Sequence, residues 1–100
     1  MIYSISLAPP AINDIQDGLE FYNSRAANLG FRFADEVDAA LQDIAAMLTA
    51  YGYRYKNIRG KQVKKFPYLI FFIVNDSNLS IKVLRIFNGY QDLFWINKKA

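Results

Sequence analysis

One hundred residues, 53% hydrophobic, 16% aromatic and 21% charged, make one packed domain and are too few for two. The chain has no cysteine and no histidine, which excludes disulfides, thiolate chemistry, an imidazole base and the commonest metal ligand. The net charge of +3 hides opposed halves: residues 1–50 hold seven acids against Arg25 and Arg32 (−5), and residues 51–100 hold ten Lys or Arg against Asp76 and Asp92 (+8).

Residues 2–7 (IYSISL) read as a short strand on β-propensity and on the stop that follows. Pro9 and Pro10 sit where a first helical turn tolerates proline. Ile12, Ile15, Leu19, Tyr22 and Ala26 then recur at three- and four-residue steps, one stripe of an amphipathic helix. Asp14 and Asp17 read as acids near the positive end of its dipole, Gly18 as a weak interior point and Gly30 as a stop. A second helix carries Phe33, Val37, Leu41, Ile44 and Leu48 inward, with Ala40 and Met47 alongside. About two residues join the helices, so they fold back as an antiparallel hairpin.

Tyr51-Gly52-Tyr53 ends the helical pattern, and 57–66, 68–75 and 79–88 read as strands, with NDSN (75–78) as a turn. The element order βααβββ predicts an α+β two-layer domain: an N-terminal strand and a helix hairpin packed on one face of an antiparallel three-stranded meander. Strand 68–74 (YLIFFIV) is apolar at every position, although a solvent-facing strand alternates. Either both its faces are covered, or one awaits a partner. Two layers cover one face, which predicts the second open for docking.

Six cations and no acid fall within residues 54–65 (Arg54, Lys56, Arg59, Lys61, Lys64 and Lys65). Such a run meets phosphates or an acidic partner, or protects a sheet edge from aggregation. Tyr51, Tyr53 and Tyr55 beside these cations suit base stacking, and equally suit capping the core with wet hydroxyls. Arg85 would share a face with Ile81, Val83 and Phe87 in a regular strand, where it would contact an anion or snorkel over apolar surface. No basic start followed by an apolar core and no 18-residue apolar run occurs, so the sequence reads as cytoplasmic, without membrane span or cofactor.

The ordered set FYNSR (21–25), LGFRFADEVDAAL (29–41), NIRGKQVKKFPYLIFFIV (57–74) and IKVLRIFNGYQDLFW (81–95) resembles the RelE/ParE superfamily, toxins of bacterial type II toxin–antitoxin modules. The resemblance covers nearly all of the chain, and Lys65-Phe66-Pro67-Tyr68 running into the apolar strand is its most specific element. It implies a plasmid-stabilisation-type toxin neutralised in complex with a cognate antitoxin, whose acidic or amphipathic C-terminal segment adds a helix and often a strand. Lys64, Lys65, Tyr68, Ile70, Phe72, Arg85 and Phe87 are the implied antitoxin-binding residues.

Relatives of the ParE type poison DNA gyrase, and those of the RelE type cut mRNA on the ribosome. Members commonly end the last strand with Phe-His-x-x-Arg and a later Trp; this chain has Asn88 and Gln91 at the His and Arg positions and keeps Trp95. RNA-cutting relatives also place an Arg early in the apolar strand, near Leu69 here. Lys61, Lys64, Lys65, Arg85 and Tyr90 are the remaining groups able to stabilise phosphorane-like charge or move a proton. These departures favour a gyrase inhibitor. A ribosome-dependent endoribonuclease, or an inactive member that only binds antitoxin, stays open as the alternative.

Overall fold

The computed structural model describes residues 3–46 and 53–88, with 53–55 described for their backbone alone. Strand β1 (Ser4–Leu7) is followed by helices α1 (Pro9–Arg25) and α2 (Leu29–Ala46), then by β2 (Tyr53–Tyr55), β3 (Ile58–Gln62), β4 (Tyr68–Asn75) and β5 (Ser80–Asn88). The five strands form one sheet in the order β1-β5-β4-β3-β2. β1 runs parallel to β5 at one edge, and the other pairings are antiparallel. The α+β class and the order of the expected elements are as the sequence implied. β2 is an additional strand, closing a hairpin onto β3 through Lys56, whose φ is 49°.

Pro9 and Pro10 occupy the first positions of α1, where no N–H is needed, and no side chain caps that end. Its first turn holds no acid. Asp14 lies a turn further in and serves a different purpose, described below. Three residues, Ala26 to Asn28, join α1 to α2, with Asn28 at φ 66°. The Gly30 N–H donates to Asn23 Oδ1 at 2.7 Å, tying the start of α2 to the end of α1.

The two glycines read as a weak point and a stop are where the helices touch. A Cβ on Gly18 would stand 2.5 Å from Phe33 Cε2, and one on Gly30 would stand 2.1 Å from the Leu19 carbonyl oxygen. Gly30 lies inside α2, because close approach rather than helix termination is what it provides.

The core sits between the helices and one face of the sheet. Ala11, Phe33, Val37, Ala40 and Ile44 meet Val63, Ile70, Phe72, Ile81, Val83 and Ile86. At one end Phe33 stacks with Phe66 and Tyr68 at ring-centroid distances of 5.3 and 4.8 Å, and Tyr22 joins them. β4 is covered on both faces. Ile70 and Phe72 are fully buried under the helices, while Leu69 (8% exposed) and Phe71 (0%) are buried on the opposite side with Ile58 and Phe87 against them. The expected open apolar face of 68–74 is therefore absent at its centre.

β5 is irregular. Phe71 pairs with Arg85 but Phe72 pairs with Val83, which leaves Leu84 as an extra residue. The inward positions become Ile81, Val83 and Ile86, and Arg85 leaves the face that strict alternation gave it. The Tyr3 hydroxyl donates to Asp76 at 2.7 Å, joining the β1 end to the β4–β5 turn. That contact holds the phenol proton above its ordinary range.

Gly18→Ala is expected to destabilise the fold by ~1–3 kcal/mol in chemical denaturation, since overpacking against the wedged Phe33 ring outweighs the gain in helix propensity. Gly30→Ala should cost more, because its neighbour is backbone that cannot rotate away.

Candidate functional site

Three ion pairs are seen among the described residues, and each joins an acid of the helical half to a cation of the strand half: Asp14–Arg85, Glu36–Lys65 and Asp43–Lys61. The first is a built feature. β1 ends at Leu7 opposite Val83, so beyond that point the β5 edge has no strand beside it among the described residues. Asp14 reaches this edge from α1. Its Oδ2 accepts from the Ile86 backbone N–H at 2.9 Å and from Arg85 Nε at 2.8 Å, and its Oδ1 accepts from Arg85 Nη2 at 2.9 Å. The guanidinium also lies 4.0 Å from the centre of the Phe87 ring. The two side chains are only 13% and 27% exposed, so both charges are largely removed from water and the forked geometry offsets the loss. The anion that Arg85 calls for is internal.

The other two pairs lie along the opposite flank of α2. Lys61 Nζ stands 3.9 Å from Asp43, and Lys65 Nζ stands 3.7 Å from Glu36. Lys65 is 70% exposed and sits at φ 69° in the β3–β4 connection. Pairs this long, each with one exposed partner, contribute about 0–1 kcal/mol each. Beside them a cleft of about 440 Å³ opens between the first turns of α2 and the connection, lined among others by Tyr22, Leu29, Arg32, Lys65, Phe66 and Pro67. A smaller, separate hollow of about 80 Å³ is lined by Glu36, Ala39, Asp43, Lys61 and Lys64 among others.

The expected site residues divide by location. Lys61, Lys64 and Lys65 are brought together at β3 and the connection that follows it. Arg85 stands two strands away, roughly 10 Å by the usual strand spacing, and turns to the outer edge of β5. Tyr90, Gln91 and Trp95 lie outside the described residues, as do the side chains of Tyr51, Tyr53 and Tyr55. The candidate catalytic cations are thus not gathered on one spot among the described residues. Ile70 and Phe72 are fully buried in the helix-side core, and Tyr68 is partly buried against it. Phe87 lies on the other face, against Phe71. No group of three or more potential metal ligands occurs among the described residues.

Sequence reasoning passed over Asp14 and Arg32. A carboxylate midway along an amphipathic stripe reads as surface until the neighbouring strand is known to be short. Arg32 gave no signal beyond its charge.

No family model and no curated protein matches this sequence. Solved structures do. A protein of the chromosomal ParDE toxin–antitoxin system of P. aeruginosa superposes with a TM-score of 0.75 at 14% identity, covering 87% of this chain and 96% of that one. The fold is that of the RelE/ParE toxins. The RelBE2 toxin–antitoxin complex of Mycobacterium tuberculosis matches at a TM-score of 0.62 and 13% identity, over 88% of this chain and 99% of that one. A doubly substituted E. coli toxin RelE in the free state matches at 0.61 and 11%, over 99% and 97%. No described helix is long and apolar enough to cross a membrane.

Asp14→Ala should destabilise the RelE/ParE-fold domain by about 2–4 kcal/mol, because it leaves a largely buried guanidinium and the Ile86 N–H unsatisfied together. Adding Arg85→Met to it should recover part of that loss, measured by denaturant titration of the two single variants and the double variant.

Proposed function

We propose that this chain is the toxin of a toxin–antitoxin module, of the ParE-like branch, held inactive by a cognate antitoxin and acting on DNA gyrase. The observation that carries the reading is the superposition of almost the whole chain on almost the whole of the P. aeruginosa ParDE-system protein. Fold alone does not select the target, and the chemistry of the described residues supports the branch. Metal-free RNA cleavage needs cations around the scissile phosphate and a group that moves the 2′-hydroxyl proton. Here Arg85 is engaged by Asp14, Lys61 and Lys65 face α2 acids, and Asn88 stands at the position where members of the resembled family commonly have histidine.

In the bound state, Lys64 and Lys65 in the exposed β3–β4 connection offer the contact for an acidic antitoxin segment, attracting it over a distance of about 8–10 Å at moderate salt. Arg85 and Phe87 act on this reading as a fixed shelf at the β5 end rather than as mobile ligands.

Induced alone in a bacterium, the chain is expected to arrest growth and to leave DNA breaks trapped on gyrase, and co-induced antitoxin restores growth. Discrete cuts in cellular transcripts, mapped by primer extension and without gyrase-linked breaks, would move the assignment to the endoribonuclease branch. Normal growth on induction of the soluble, folded chain would remove the toxin reading altogether.

A further inference from the structure

We propose that Asn88 is a site of self-modification: its side-chain amide is lost as ammonia through attack by the Gly89 nitrogen, leaving aspartate or isoaspartate at the end of β5. The proposal stands apart from the toxin reading above, since it needs only the chemistry of these two residues and the place of Asn88 in the sheet.

The sequence selects the pair. Of the eight asparagines, Asn88 alone is followed by glycine. In this reaction the backbone nitrogen of the following residue attacks the asparagine Cγ. A bond from that nitrogen to Cγ forms, the bond from Cγ to Nδ2 breaks, and the backbone proton leaves with the ammonia. Water then opens the resulting succinimide at one of its two carbonyls, giving aspartate or isoaspartate. Water is the sole co-reactant, and nothing is oxidised or reduced. A side chain on the following residue crowds the attack and restricts the backbone rotation it needs, and glycine does neither.

The fold leaves this pair at the end of the ladder. β5 ends at Asn88, in register with Tyr68, the first residue of β4. Tyr68 turns its backbone toward β3: its N–H donates to the Phe66 carbonyl at 2.8 Å, and its carbonyl accepts from the Val63 N–H at 2.9 Å. Bonding direction alternates along an antiparallel pair, so Leu69 with Phe87 is the last hydrogen-bonded pair of β4 and β5, and the Asn88–Gly89 bond lies beyond it. On the other side of β5, β1 stops opposite Val83. Strand ends of this kind open locally at little cost, which gives the glycine nitrogen the freedom to reach Cγ.

Other asparagines are placed differently. Asn23 and Asn75 accept from the Gly30 and Ser77 N–H groups, Asn78 accepts from the Ser80 hydroxyl, and Asn13 lies within α1. Each is followed by a residue that carries a side chain.

The products change the end of the sheet. Aspartate places a new carboxylate in the strand that carries Arg85, and isoaspartate adds a backbone carbon between β5 and residues 89–100. Either product takes one charge from the net +3.

The test incubates the full, folded chain at neutral and at mildly alkaline pH, beside the same chain in denaturant, with Asn88→Gln and Gly89→Ala as variants. Less basic species are separated by cation exchange, and the changed residue is located by peptide mass mapping. We expect such species to accumulate in the folded wild-type chain and to map to Asn88, with isoaspartate among the products. They should form faster at the higher pH, because the attacking nitrogen must give up its proton. Both variants should lose these species while keeping the wild-type melting temperature. No conversion at Asn88 in the folded chain, whether or not the denatured chain converts, would overturn the proposal. So would less basic species that map to another asparagine or that persist in both variants.

Discussion

One carboxylate sets the geometry of this fold. β1 is four residues long and β5 is nine, so the first strand cannot cover the edge beside it. The uncovered stretch begins at Leu84, the extra residue that shifts the β4–β5 register. Asp14 takes the backbone N–H that a longer β1 would have taken, and the same carboxylate anchors the arginine that the register shift sends outward. The irregular strand, the short edge and the path of α1 are then one solution. A polar network of this kind stabilises when its members are satisfied, and here one carboxylate accepts from the amide and from two nitrogens of the guanidinium.

The opposed charges of the two halves acquire a different meaning in three dimensions. A chain of −5 followed by +8 suggests partners on sequence grounds alone. In the fold, the acids of the helices and the cations of the strands face each other across the layers, and every ion pair among the described residues links one half to the other. Much of the asymmetry is thus absorbed by packing the halves together.

Periodicity placed the buried face of α2, where Phe33, Val37, Ala40 and Ile44 repeat at helical spacing and are all buried, whereas in α1 the buried residues are Ala11 and Gly18 and Ile12 of the expected stripe is 49% exposed. The turn chemistry of NDSN placed the β4–β5 hairpin, and the Asn75 side chain accepts from the Ser77 N–H as such turns require. The misreadings have physical causes. Gly18 and Gly30 look like weak points in one dimension, and only the crossing of two helices shows why no Cβ fits. Three residues, Tyr53 to Tyr55, are too few to show alternation, so β2 gave no signal. The run 68–74 was ambiguous between a strand covered twice and a strand awaiting a partner, and burial of Leu69 and Phe71 opposite Ile70 and Phe72 decides for the former at its centre. Of the candidate site, the basic β3–β4 connection was legible and the role of Arg85 was not, since its counter-charge lies 71 residues earlier in the chain.

The fold is that of the RelE/ParE toxins, and in this chain the end of its sheet is built on Arg85 being held by Asp14. Native-state hydrogen exchange at the Ile86 amide tests that most directly. With its carboxylate acceptor in place, the amide should exchange at a rate comparable to the ladder amides in the middle of β4, and Asp14→Asn should accelerate it selectively. Exchange of the Ile86 amide in the wild-type chain as fast as that of an exposed loop residue would contradict the account.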